Sequence, residues 1–176
     1  VISIIALLIS VLLPSMGASL GLDYAQMGFI STGNFIGYLA AVFLSGMLTA
    51  QLGARRLITA GLAVVAASMM AVSQAQAYPQ VLLLYFFTGF GAGTANVPIM
   101  ALIAHWFERS LRGRAAGFIV SGSGVAIVFS GWMIPAINAR VGPEGWRWSW
   151  LVLGGLALAI TVIAATLIRN RPAERG

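Results

Sequence analysis

The 176-residue chain contains no cysteine and no lysine, and it carries four acidic residues against ten arginines. Without cysteine, neither a disulfide framework nor a thiolate metal site is available. Charged residues make up only 8% of the sequence, against roughly a quarter in an ordinary soluble domain. A soluble fold of this size could not hide the apolar surface that remains, because small domains leave much of their chain exposed. Histidine occurs once, at His105. No Ser/His/Asp set, cluster of metal ligands or phosphate-binding glycine loop can be traced, which removes the means for an intramembrane hydrolase or an ATP-driven pump. No catalytic residue, cofactor or metal is therefore expected.

What is present is hydrophobic: 60% of the residues are apolar and the mean hydropathy is +0.95. Six apolar runs, at 1–18, 28–49, 57–73, 81–105, 115–137 and 148–168, each approach the roughly 20 residues that cross a bilayer as a helix. The runs are continuous instead of alternating, and backbone polar groups must be satisfied internally in lipid. These features predict an all-α polytopic membrane protein with six transmembrane helices in a single domain, the lipid bilayer being its solvent. The first run starts on Val1 without a charged flank, so it is read as a span truncated at its amino end.

The net charge of +6 would suit nucleic acid in a soluble protein. Here, however, the arginines are confined to short segments between the runs, which a membrane reading predicts and a nucleic-acid reading does not. Arg55, Arg56, Arg109, Arg112, Arg114, Arg169, Arg171 and Arg175 fall on one side, and Arg140 and Arg147 on the other. The positive-inside rule makes the first side cytoplasmic, with both chain ends there, in an inner (plasma) membrane. Tyr24, Tyr78, Trp146, Trp148 and Trp150 then fall at the outer interface and Trp106 and Phe107 at the inner one, the positions of an aromatic belt.

Several segments, taken together, carry a resemblance. GMLTAQLGARRLITAG, from Gly46 to Gly61, is similar to the cytoplasmic signature between the second and third helices of the major facilitator superfamily, with Gly46, Gly53, Arg55 and Arg56 matching. Ala50 stands where that family usually has aspartate, and Gln51 where it often has arginine. WFERSLRGRAAGF resembles the loop between its fourth and fifth helices, and GWRWSW the start of its sixth. In YFFTGFGAGTANVP, Tyr85 occupies the place of an arginine, and GFIVSGSGVAIVFSGWMIP lacks the Gly-Pro pair of the family's glycine-rich fifth helix. Within the family the likeness is to poorly characterised bacterial carriers.

The resemblance implies the amino-terminal six-helix half of a twelve-helix secondary carrier, with a carboxyl-terminal half missing from this chain. It implies a small-molecule substrate bound near the midplane, and loops that gate the cytoplasmic side: Gly46, Gly53, Arg55 and Arg56 on one, Glu108, Arg109, Arg112 and Arg114 on the other. With aspartate absent at Ala50, Glu108 is the remaining carboxylate that could bridge the two loops.

Polar groups inside spans point to a pathway, because lipid-facing positions penalise them. Asn34 and Tyr38 on the second run, Asn96 on the fourth, and Ser121 and Ser123 on the fifth are the candidates. Interhelical hydrogen bonding is the alternative role for each. No acid lies within a span, so this half offers no buried carboxylate as a proton relay. Its lack of any internal charge suits a neutral or weakly polar solute. Gly33 with Gly37 and Gly89 with Gly93 form GxxxG pairs expected to bring backbones together, and Pro98 is expected to kink or loosen its helix. The expected function is secondary active transport of a small solute by alternating access. The competing class is a non-transporting six-helix membrane protein, such as an assembly partner or sensor.

Overall fold

The structure, a computed structural model, describes residues 12–142 and 144–168. The beginning of the first expected span, together with Arg169, Arg171 and Arg175, lies outside the described residues. Within them the chain is all-helical: α1 (helical over 12–20), α2 (Tyr24–Leu52), α3 (Ala54–Val72), α4 (Tyr78–Trp106), α5 (Arg112–Val141) and α6 (Gly145–Leu167). The last five are long and apolar enough to cross a membrane.

Cap chemistry, more than hydropathy, sets where α2 begins and ends. α2 begins at a reciprocal capping box: the Gln26 amide donates to Asp23 Oδ1 at 2.7 Å, and the Asp23 amide donates to Gln26 Oε1 at 3.1 Å. The helix therefore starts before its apolar run. It ends at Gly53, whose φ of 80° turns the chain into α3 within one residue, a conformation that side chains strain to adopt. Pro79 lies in the first turn of α4, where no amide donor is missed. α4 continues as one helix through Pro98.

The α1–α2, α3–α4 and α5–α6 connections form one face of the bundle, called face one; the α2–α3 and α4–α5 connections form face two. α4 is central. Its Gly89 and Gly93 turn toward α2, where a Cβ on Gly89 would strike the Asn34 carbonyl and one on Gly93 would lie 2.6 Å from the Tyr38 carbonyl. Gly37 on α2 lies equally close to the Phe86 carbonyl. Gly91 points the opposite way, because two helical steps rotate it by about 200°, and there it meets Gly61 of α3 backbone to backbone. Ser68 and Thr88 add a buried hydroxyl pair at 2.9 Å between α3 and α4. α6 lies antiparallel to α3, with Gly154 notched against Met70 and Ala66. α5 buries only Ser130, Met133 and Ile134, all toward face one.

The densest part of the core also lies toward face one. Met16 Sδ accepts from both Tyr85 Oη and Trp150 Nε1 at 3.4 Å, and the two rings meet edge to face at 5.4 Å. Tyr85 thus fills with a buried phenol the place that the resembling carriers give to arginine. This arrangement corrects part of the expected belt. Trp146 and Trp150, four residues apart on one helical face, are fully buried core residues, whereas Trp148 on the opposite face is 56% exposed and Tyr24 is 91% exposed.

Candidate functional site

Three of the five pathway candidates gather on the α2–α4 seam. The glycines bring the two backbones so close that polar side chains beside them can bridge the helices. Asn34 Nδ2 donates to the Tyr85 carbonyl at 2.8 Å, and Asn96 Nδ2 donates to Tyr38 Oη at 3.0 Å. Each of the three side-chain partners is half-buried. The interhelical role weighed for these residues is therefore realised. Such bonds contribute on average about 0.6 kcal/mol in membranes. The Tyr38–Asn96 pair keeps further capacity, however. Tyr38, as acceptor, still has its own hydroxyl hydrogen to donate, and Asn96 Oδ1 still accepts.

The two serines are placed differently. Ser121 is exposed on α5 and donates to the Phe118 carbonyl of its own helix at 2.7 Å. Ser123 is half-buried two residues further along.

On face two, three of the eight expected gating residues, Gly53, Arg55 and Arg112, serve helix ends. Gly53 supplies the left-handed turn, while a side chain at Gly46 would meet open space. Arg55 Nη2 and Nε donate to the Ala165 carbonyl near the end of α6, at 2.6 and 3.2 Å. Arg112 Nη2 donates to the Ala104 carbonyl at 2.7 Å, and its Nε to the Phe107 carbonyl at 3.1 Å, capping α4. Arg56, Arg109, Arg114 and Glu108 are exposed. Among the described residues no ion pair joins Glu108 to the Gly53–Arg56 turn; the ion pair found is Arg147 with Glu144, on face one. The His105 side chain lies outside the described residues.

Face one holds a polar cluster that no charge within a span announces. Arg147 Nε donates to Glu144 Oε2 at 2.6 Å, and its Nη1 donates to the Ser73 and Ala75 carbonyls at 2.8 Å each. Ser19 Oγ donates to Glu144 Oε1 at 2.6 Å. These hydrogen bonds from Ser19 and then Arg147, with the arginine's charge, hold the Glu144 carboxyl below its ordinary pKa, against a smaller opposing effect of desolvation. Two signals were readable: an arginine in the first turn of α6 and an acid three residues before it. Their backbone partners were not. A groove of about 800 Å³ between α2 and α4 near face one, with Phe29, Leu82 and Phe86 among its lining residues, contains none of the five candidates.

Known proteins agree with this architecture. The sequence profile described as Major Facilitator Superfamily matches residues 1–176. A probable hexose phosphate transport protein of Chlamydia muridarum is 25% identical over 165 residues, covering 93% of this chain and 35% of that protein. A hexuronate transporter of Bacillus subtilis is 24% identical over 166 residues, 94% of this chain and 39% of its own length. The inward-open xylose transporter of E. coli shares the fold with a TM-score of 0.72 at 20% identity, over 97% of this chain and 46% of that structure. The chain thus spans less than half the length of each. With the family profile matched from its first residue to its last and five bilayer-length helices in its bundle, this multi-pass membrane protein belongs to the Major Facilitator Superfamily.

Proposed function

We propose that this chain forms the amino-terminal half of a secondary carrier that moves a small, hydroxyl-bearing solute across a plasma membrane by alternating access. The observation that carries the reading is the Tyr38–Asn96 pair, midway along α2 and α4, which leaves a donor and an acceptor available beside a glycine-packed seam. The relatives named for hexose phosphate and hexuronate act on hydroxyl-rich molecules, which suits such a pair. Asn34, Ser121 and Ser123 are kept as flanking pathway residues, and the remaining charge recognition is assigned to the carboxyl-terminal half. That second six-helix half would cover the apolar surfaces that α2 and α5 present, where Phe43 is 80% and Phe118 82% exposed.

Face two is taken as cytoplasmic, since Arg55, Arg56, Arg109, Arg112 and Arg114 lie there against Arg140 and Arg147 on face one. The expected loop residues then form the cytoplasmic gate, but mostly from helix ends: Gly46 lies inside α2, Arg55 and Arg56 in the first turn of α3, and Arg112 and Arg114 in the first turn of α5, which leaves Gly53, Glu108 and Arg109 in the connections. This chain carries no cysteine, so single-cysteine labelling reads the orientation directly. Ser110→Cys should resist an impermeant thiol reagent in intact cells, and Gln76→Cys should react; the reverse pattern sinks the topology. For transport, the full-length protein in vesicles should accumulate a sugar or sugar acid from a metabolite panel, with and without a proton gradient imposed. A panel without any hit from full-length, correctly inserted protein would count against transport and leave the assembly or sensor class.

A further inference from the structure

α3 and α6 are joined at both ends by the same device used in opposite directions. Arg55, the second residue of α3, donates to the Ala165 carbonyl in the last turn of α6, at 2.6 and 3.2 Å. Arg147, the third residue of α6, donates to the Ser73 and Ala75 carbonyls just past the end of α3, at 2.8 Å each. The last carbonyls of a helix have no partner within it and form the negative end of its dipole, which describes Ala165 and the α3 cap Ser73, while Ala75 lies in the turn that follows. A guanidinium answers both needs, offering several donors in a fixed plane and a charge that does not titrate away. Between the two clamps, Gly154 lets α6 seat against Met70 and Ala66 of α3, so the helices also touch midway.

We infer that Arg55 and Arg147 are reciprocal clamps that make α3 and α6 a strut, a pair that keeps its internal geometry while the rest of the half is carried with it. The role rests on the carrier reading for its purpose but not for its test. It assigns Arg55, so far a gating-loop residue, a positioning role at the end of α6. Glu144 serves the same strut, since its Oε2 holds Arg147 in register while its Oε1 ties Ser19, and with it the end of α1, to the pair.

Distances between paired spin labels in the full-length, reconstituted protein test this at each end separately. One pair, Arg56→Cys with Thr166→Cys, reports the Arg55 end; the other, Gln74→Cys with Trp148→Cys, reports the Arg147 end. All four positions are exposed. Arg55→Gln should broaden the first distribution and leave the second narrow, and Arg147→Gln should do the reverse. Arg55→Lys and Arg147→Lys keep the charge but not the planar fork, and should broaden their own ends by less; they serve if a glutamine variant does not fold. Equal broadening at both ends from either substitution would mean general loosening and would overturn the strut, as would narrow distributions in every variant. Solute uptake is scored separately, so its absence bears on the transport reading alone.

Discussion

α4 and α5 are both glycine-rich membrane-length helices, and the bundle treats them in opposite ways. On α4, Gly89, Gly91 and Gly93 each face a neighbouring backbone or side chain that a single added carbon would strike. On α5, Gly113, Gly117, Gly122, Gly124 and Gly131 face open space. In the most apolar window of α4, 44% of the residues are buried, against 17% for α5. Glycine content therefore reports two different things. In α4 it permits contact inside the bundle, where tight backbone approach replaces the hydrophobic effect as the source of association in lipid. In α5 the glycines meet nothing in the bundle and lie on a helix that also exposes Val125, Val128 and Trp132.

The sharpest way to break this comparison is to add volume to both helices. Gly89→Leu should prevent recovery of a monodisperse protein, because the side chain must displace the α2 backbone, and even Gly89→Ala should cost at least the roughly 1–3 kcal/mol typical of overpacking. Gly122→Ala on α5 should be neutral, or stabilising by up to about 1 kcal/mol through helix propensity alone. Thermal unfolding in detergent measures both. Equal losses from the α4 and α5 substitutions would erase the distinction.

A smaller effect separates the polar groups on the two sides. Tyr38→Phe removes the acceptor of Asn96 Nδ2 and should cost about 0.6 kcal/mol, the average for such bonds in membranes, and no more than about 1.7. Ser121→Ala deletes only a hydroxyl bonded within its own helix and should change the melting temperature little. If the full-length protein transports as proposed, Tyr38→Phe should also raise the KM for uptake, since it removes the donor proposed to meet the solute. An unchanged KM with a lowered melting temperature would reduce the pair to a packing bond.

Helix count, the GxxxG seams and the interhelical bonding open to Asn34, Tyr38 and Asn96 are legible in the sequence because they depend on local composition and spacing. The glycines four apart on α2 and α4 predicted close approach, and Asn34, Tyr38 and Asn96 stood out as amides and a phenol within apolar runs. Helix ends were less legible, since α5 runs from Arg112 to Val141 while its apolar run covers only 115–137: polar residues continue a helix until a cap such as Gly142 stops it. The aromatic belt misled at Trp146 and Trp150, because hydropathy gives a residue's depth along the membrane normal and not which way its helix turns it. The sequence shows Arg147 only as a topological charge, and Arg55 as a topological charge that the family resemblance places in a gating loop, for a deeper reason. Their partners are carbonyls of Ala165, Ser73 and Ala75, and a backbone acceptor has no signature in sequence.

The smallest expected effect concerns how α5 is held at all. Its buried residues lie in its second half, and it reaches α6 through the turn that carries Glu144, where Gly145 packs against Asn138. The Glu144 carboxyl is kept below its ordinary value of 4.5, first by the Ser19 hydroxyl and then by Arg147. A depressed acid contributes stability that is fully present above its unfolded pKa and is lost as pH falls through the folded one. Acidification below about 4.5 should therefore weaken the tie, and only modestly, because the side chain is 54% exposed and its ion pair is screened by solvent and salt. Hydrogen exchange in the full-length protein reads where the weakening lands. Corrected for the intrinsic pH dependence of exchange, protection over 130–141 of α5 should fall on acidification, while that over 85–95 of α4 stays constant. Glu144→Gln, which cannot titrate, should remove the pH dependence. If α4 loses protection alongside α5, or if Glu144→Gln retains the full pH response, the turn at Glu144 is not what fastens the open helix to the packed ones.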